Sequence, residues 1–409
     1  MYVSQNGMVH ERLRSGLAAP YVEGFVGWLD DKGYANTTVR ELVRLLAGWT
    51  HWMSGAGYTL DDILTGFEAS RAVVSNTKWV RRRGDISRES IGVAALFMRY
   101  LQDQGVLARP TPPPSATQTW PILGAFGSWM RQHRGMAETT LELYQGTLIG
   151  FLEALGDDPR AYSAEAIRAF ILERNRSVGL ERKKGIAVAI RAFLRYLIAT
   201  GKCPPGRDHA VPSAAGWRMA SVPKYLAAED IERVIDACLG EGRLRDRAVI
   251  LLLARLGLRA SEVAGLGFAD IDWKNGRIRL CGKSRREEHL PLTQEVGDAI
   301  LAYIERGRPS VPVDRLFITE TAPLRPLGRI AIKCIVQRTL TRAGVESTSK
   351  GAHILRHSAA TAMLRHGVNL AGVGAVLRHR SPAMTAHYAK VDLALLSEIA
   401  QPWPGRLPC

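Results

Sequence analysis

Cysteine is scarce in this chain. Cys203, Cys238, Cys281, Cys334 and Cys409 are its five, and they form neither a Cys-x-x-Cys pair nor a ligand-spaced cluster. That pattern excludes a disulfide scaffold or a zinc ribbon and fits a reducing cytosol. Long apolar runs are also missing. The longest, Ala248 to Ala254, falls far short of the ~20 residues that span a bilayer. The N-terminus lacks the basic-then-apolar order of a signal peptide. Acid is in deficit: 39 Asp and Glu stand against 55 Lys and Arg, for a net charge of +16. An excess of that size points to a polyanion, either nucleic acid or an anionic membrane surface, with nucleotide composition bias as the bland alternative. Arg supplies 44 of the 55, and its planar fork meets phosphate oxygens bidentately, which Lys cannot do.

What is present reads as folded protein, with 46% hydrophobic and 23% charged residues in 409. Two Pro-rich stretches punctuate the chain, Ala108 to Pro121 and Cys203 to Trp217, and neither is expected to hold a helix or a central strand. The resulting division is an N-terminal helical domain over 1–108, a linker over 109–120, a second helical domain over 118–203, a linker over 204–221, a third domain over 222–400 and a tail over 401–409. Net charge rises along it: +2 for residues 1–110, +5 for 111–221 and +9 for 222–409.

The first two segments read as drifted copies of one helical unit. FVGWLDDKGYANTT from Phe25 matches FGSWMRQHRGMAETT from Phe126, and both units end in Phe-x-Arg-Tyr-Leu, three residues, Gly. The Thr pairs (37–38 and 139–140) are offset by 102 and the Phe-x-Arg-Tyr-Leu blocks by 96, so an insertion separates the two blocks in the first copy. Gly105 and Gly201 stand where a helix C-cap belongs. Two basic clusters precede helical patterns, Lys78, Arg81, Arg82 and Arg83 in one unit and Arg182, Lys183 and Lys184 in the other. Phosphate contacts near a helix start and a solvated face are equally good readings of both.

The third segment alternates helix and strand. Helices are expected over Ala228–Leu239 and Leu244–Leu256, a β-hairpin around a basic turn over Gly276–Leu292, and a short strand over Arg315–Ile318. Four features there bear on chemistry. Arg259 and Glu262 share a helix face at i, i+3, so the carboxylate can hold the guanidinium. Lys283 lies in the hairpin turn beside Arg285 and Arg286. His353 and Arg356 share a face within HILRH. His379 is followed nine residues later by Tyr388. Competing chemistries fail on spacing. Gly282-Lys283-Ser284 lacks the Walker glycine, since position 277 is Arg. His353 and His357 lack the zinc-protease Glu, since Ile354 stands there. No acidic cluster suggests a magnesium nuclease, and no Gly-x-Ser-x-Gly elbow appears.

Taken in order, Arg259, Lys283, His353, Arg356, His379 and Tyr388 resemble the catalytic set of the tyrosine recombinase (phage integrase) family, including the Xer-type recombinases. The flanks match as well: SVPKYLAAEDIERVI from Ser221 and RHSAATAML from Arg356. The resemblance covers about 222–400 and extends more weakly to 118–203, which is similar to the family's core-binding domain. One departure is Arg378, where a Gly is common before the His, and another is Arg380. The implied fold is mainly α with a small β component: helical SAM-like DNA-binding domains, here duplicated, followed by a mixed α/β catalytic domain.

The resemblance implies a site-specific DNA recombinase, the integrase or transposase of a mobile element. Joining DNA without ATP requires a covalent intermediate that conserves the phosphodiester bond energy. Tyr388 would attack the backbone and leave a 3′-phosphotyrosine. Arg259 and Arg356 would clamp the non-bridging oxygens, His353 would assist the proton of the Tyr hydroxyl, Lys283 would protonate the departing 5′-oxygen, and His379 would donate to the phosphate. Glu262 would orient Arg259, while His357 and His387 read as structural. No metal and no cofactor is expected. The expected partner is double-stranded DNA at recombination core sites, gripped between the core-binding and catalytic domains by a homotetramer or a hetero-oligomer of related recombinases working through a Holliday junction. A helix over Leu393–Ala400 would pack on a neighbouring protomer or on its own domain. The expected location is the bacterial cytoplasm at the nucleoid, with no membrane role. The first helical unit would bind an arm site or contact protein. The rival readings are a non-catalytic architectural subunit and a type IB topoisomerase-like activity.

Overall fold

The computed structural model describes residues 16–76, 86–110, 113–213, 223–281, 287–349, 351–379, 381–391 and 396. By spatial contact they divide into two compact units, 1–108 together with 221–409, and 109–220.

The first helical segment comprises α1 (Val22–Asp31), α2 (Asn36–Gly55), α3 (Ile63–Asn76) and α4 (Arg88–Asp103). Its apolar faces close on a core that includes Phe25, Leu29, Leu46, Trp49, Phe97 and Leu101. The second segment comprises α5 (Ala116–Thr119), α6 (Pro121–Arg134), α7 (Glu138–Leu155), α8 (Ala164–Asn175) and α9 (Leu180–Ala199), closed on its own core that includes Phe126, Phe151, Ile190, Phe193 and Leu197.

The sequence repeat is a repeat of packing. Phe25 meets Phe97 edge-on at 5.3 Å and Tyr100 at 5.6 Å; Phe126 meets Phe193 edge-on at 5.4 Å and Tyr196 at 5.6 Å. Each unit ends in the same turn. Gly105 donates to the Gln102 carbonyl and Val106 to Leu101, while Gly201 donates to Ile198 and Lys202 to Leu197. This is the Schellman closure, and it needs the positive φ that both glycines adopt, +72° and +68°.

The described parts of the Pro-rich stretches hold more regular structure than their composition suggests. The Ser115 hydroxyl caps the single turn of α5 by accepting from the Gln118 N–H, and the Ser115 N–H donates to the Gln118 side-chain oxygen; Pro121 enters α6 at its start, where a missing N–H does no harm. In the second stretch, Cys203, Ala210 and Val211 belong to the core of the second unit, and Asp208 pairs with Arg195 at 3.0 Å. Proline excludes helix interiors, not the positions that these residues take.

The third segment carries α10 (Ala228–Asp236), α11 (Leu244–Ala254), α12 (Ala260–Gly265), strands β1 (Ile271–Asp272), β2 (Arg277–Cys281) and β3 (Glu287–Pro291), then α13 (Gln294–Ala302), α14 (Arg329–Arg342), α15 (His353–Arg365), α16 (Leu370–Val376) and α17 (Pro382–Thr385). The longest apolar run of the sequence lies in α11, whose residues from Ala248 to Ala254 are all buried. A helix apolar on every side belongs at the centre of its domain. The strands form one antiparallel sheet in the order β1-β2-β3, with Arg279 opposite His289. Arg315–Ile318, expected as a strand, makes only isolated bridges, Gly267 with Arg315 and Ile318 with Pro326, because its two ends pair with different segments. The first bundle meets this segment at the loop after α1: Leu324 donates to the Lys32 carbonyl at 3.3 Å. A Cβ on Gly33 would lie 2.6 Å from the Leu324 side chain, so that approach requires glycine.

Candidate active site

Arg259 immediately precedes α12, and Glu262 stands in its first turn. The Glu262 carboxylate takes the Arg259 backbone N–H at 2.8 Å and its guanidinium at 2.6 Å. The i, i+3 pair read from the sequence therefore exists, and it does two jobs: it satisfies a helix-start donor and it fixes a guanidinium. Burial works against the ionised Glu262 carboxylate, but the Arg259 N–H and the charges of Arg378 and Arg259 outweigh it and hold the group below the usual carboxylate range.

Arg356 projects from α15 and is only 3% exposed. Its two terminal nitrogens donate to the carbonyls of Gly257 and Leu377. Gly257 has φ +60°, and a Cβ there would come within 2.6 Å of Leu377, so the anchor that holds Arg356 depends on a glycine. Burial first, and the neighbouring Arg259 charge second, draw the Arg356 guanidinium down to about 10. It stays protonated at neutral pH.

Tyr388 sits in a 3₁₀ turn over Ala386–Val391 and is 3% exposed. Its hydroxyl lies 2.7 Å from His357 Nδ1, and its ring stacks on His379 with centroids 6.1 Å apart and planes 7° apart. His379 Nδ1 is held by the Thr385 hydroxyl at 2.8 Å. Burial pushes the Tyr388 hydroxyl up, against the pull of Arg356 and Arg259. Burial, helped by neighbouring positive charge, pushes both His357 and His379 down to about 4, so both rings are neutral at pH 7. His353 is lowered for the same reasons, burial and then Arg356 and Arg259. Its ring lies 6.0 Å from that of His357.

Arg259, Glu262, His353, Arg356, His379 and Tyr388 are thus gathered in one cluster. Two residues not assigned a catalytic part from the sequence join them. His357, read there as structural, is the ring in contact with the Tyr388 hydroxyl; its signal was the i, i+4 spacing from His353. Arg378, noted as a departure from glycine, donates to Glu262 at 2.6 Å from a side chain only 4% exposed. Lys283, Arg285 and Arg286 lie outside the described residues, as do Lys78, Arg81, Arg82 and Arg83. Arg182, Lys183 and Lys184 lie near the start of α9, with Lys184 paired to Glu181 at 2.8 Å. All of the Leu393–Ala400 segment except Leu396 is likewise outside the described residues. Among the described residues no group of His, Cys, Asp and Glu is arranged to hold a metal ion, and no helix is long and apolar enough to cross a membrane.

A buried tyrosine against a neutral imidazole, beside two guanidiniums fixed by carbonyls and a carboxylate, has the chemistry that phosphoryl transfer to a tyrosine needs. Known proteins place it further. Residues 224–394 match the model of the phage integrase family. The chain is 34% identical over 400 residues to the integrase/recombinase y4rA of Sinorhizobium fredii (strain NBRC 101917 / NGR234), covering 95% of each. It is 27% identical over 314 residues to tyrosine recombinase XerC of Chlorobaculum parvum, covering 68% of this chain and 92% of the other. In three dimensions it is similar to XerH site-specific recombinase bound to a palindromic difH substrate in a post-cleavage complex, with a TM-score of 0.54 at 19% identity, over 87% of this chain and 94% of that one. The chain belongs to the phage integrase family, and it is a site-specific tyrosine recombinase.

Proposed function

We propose that the protein cuts and rejoins duplex DNA at the core sites of a mobile element through a covalent 3′-phosphotyrosine on Tyr388. The observation that carries this is the 2.7 Å contact between the Tyr388 hydroxyl and His357 Nδ1, next to the fixed pair Arg259 and Arg356. The Tyr388 oxygen attacks phosphorus and gives its proton to His357, which is neutral and free to take it. The bond from phosphorus to the 5′-oxygen breaks, and Lys283 protonates that oxygen. Arg259 and Arg356 donate to the two non-bridging oxygens as they gain charge, with His353 beside them. His379, its Nδ1 occupied by Thr385, offers Nε2 to the phosphate. Attack by a 5′-hydroxyl from another strand reverses the step and releases Tyr388. The phosphodiester energy is kept throughout, so neither nucleotide nor metal is required.

The reading extends to assembly and organisation. Protomers related by exchange act as a tetramer, or with related recombinases, through a Holliday junction. The chain works as two helical DNA-facing domains, 1–108 and 118–203, ahead of a catalytic domain over 222–400. The first, with its charge of only +2 over 1–110, binds an arm site or contacts protein. Family membership and the basic charge support the cytoplasmic nucleoid as its place of action.

The test is covalent capture. The full chain is incubated with fragmented host DNA, denatured, and the attached fragments are sequenced. The expected outcome is attachment of 3′ ends to Tyr388 at one short repeated sequence, the core site. DNA binding without any covalent attachment would overturn the reading.

A further inference from the structure

Arg378 has a backbone that suits glycine and a side chain that the turn does not need. With φ +55° it is the one non-glycine residue at positive φ among the described residues. It closes α16: its N–H donates to the Ala375 carbonyl at 3.0 Å, and the His379 N–H to Gly374 at 2.9 Å. This is a Schellman turn, where glycine meets no Cβ penalty. A residue retained against backbone preference beside a reacting centre points to a functional reason.

The side chain supplies that reason. Its Nη2 donates to Glu262 Oε2 at 2.6 Å and its Nη1 to the Val376 carbonyl at 3.0 Å. Its Nε has no hydrogen-bond partner; the half-exposed Glu288 carboxylate stands 3.7 Å away. The other oxygen of Glu262 holds Arg259, and Arg259 Nη2 reaches back to the Arg378 carbonyl at 3.4 Å. One carboxylate thus bridges two guanidiniums.

We propose that Arg378 is a positioning residue for strand cleavage: it shares the second oxygen of Glu262 with the Arg259 backbone N–H, so that the carboxylate grips Arg259 in one orientation. The inference rests on the reading that Tyr388 cleaves DNA. Two measurements on the full chain test it. In the first, single-turnover covalent attachment is timed on a nicked duplex carrying the captured core site, for wild type, R378G and R378K. R378G is expected to slow attachment by roughly 10- to 100-fold with duplex affinity unchanged and with a melting temperature equal to or above that of wild type. R378K is expected to recover part of the rate, since it restores charge without the fork. An R378G rate equal to that of wild type, or a rate loss matched by a fall in melting temperature, overturns the proposal. In the second, orthovanadate replaces DNA and the shift in melting temperature is read. A weaker shift for R378G supports the proposal and an equal shift overturns it. If wild type fails to attach to any DNA, the reading of function fails, and the orthovanadate comparison alone decides the part played by Arg378.

Discussion

The two sides of the cluster are built on opposite principles. On one side Arg259, Arg356, Arg378 and Glu262 are charged; Arg259 and Arg378 donate to the Glu262 carboxylate, and Arg356 donates to carbonyls. On the other, Tyr388, His357, His379 and Thr385 are neutral and linked by hydroxyl and imidazole contacts. Both sides are desolvated, with different results. Ion pairs around Glu262 and carbonyls around Arg356 keep the first side ionised in spite of burial, so it presents fixed charge that needs no reorganisation. The second side lacks such partners, so burial holds its histidines in the base form and its tyrosine in the acid form. In the proposed reaction the first side receives charge and the second moves a proton.

Substitutions separate the two. Y388F leaves the charged side whole and is expected to reduce covalent attachment to background while DNA binding persists, measured by denaturing gel and by filter retention. H357A, on the same side, is expected to slow attachment by roughly 10²–10⁴-fold, the span of general base catalysis. R259A or R356A should lower the rate by roughly 10²–10³-fold, as for removal of a transition-state donor. E262A is expected to act on stability as well, because it strands the buried Arg378: a loss of about 3–5 kcal/mol in denaturant unfolding is expected. Full stability in E262A would show that the two guanidiniums are not held as described.

Acid acts on the neutral side. His357 and His379 titrate near 4 in the folded protein and near ~6.5 when unfolded. Between those values the unfolded chain binds more protons, so stability is full above the unfolded value and is lost as pH falls towards 4. The melting temperature should decline over that window, and H357N should flatten the decline. The smallest expected effect concerns access: Tyr388 is 3% exposed, so in the free protein it should resist nitration by tetranitromethane relative to exposed tyrosines.

Much of this was legible in the sequence because its signals are local. The Phe-x-Arg-Tyr-Leu blocks announced two copies of one packing unit, and the i, i+3 spacing of Arg259 and Glu262 announced an ion pair that exists. The family resemblance placed Tyr388 and both arginines in one pocket. What escaped depends on contacts across long stretches of chain. Glu262 and Arg378 are separated by 116 positions, and His357 and Tyr388 by 31; no local pattern says which imidazole of HILRH meets the hydroxyl. The ordered turn of α5 was hidden for another reason: Pro density suggested a linker, whereas Ser115 and Gln118 cap a turn between the prolines.

The division of labour is tested most directly with a core-site duplex whose scissile 5′-oxygen is replaced by sulfur. A thiolate leaves without being protonated, so only defects on the leaving-group side are relieved. The expected result is that K283A regains cleavage on the sulfur substrate while H357A stays slow. Recovery of H357A on that substrate would contradict the account, since it would place His357 with the leaving group and not with the Tyr388 proton.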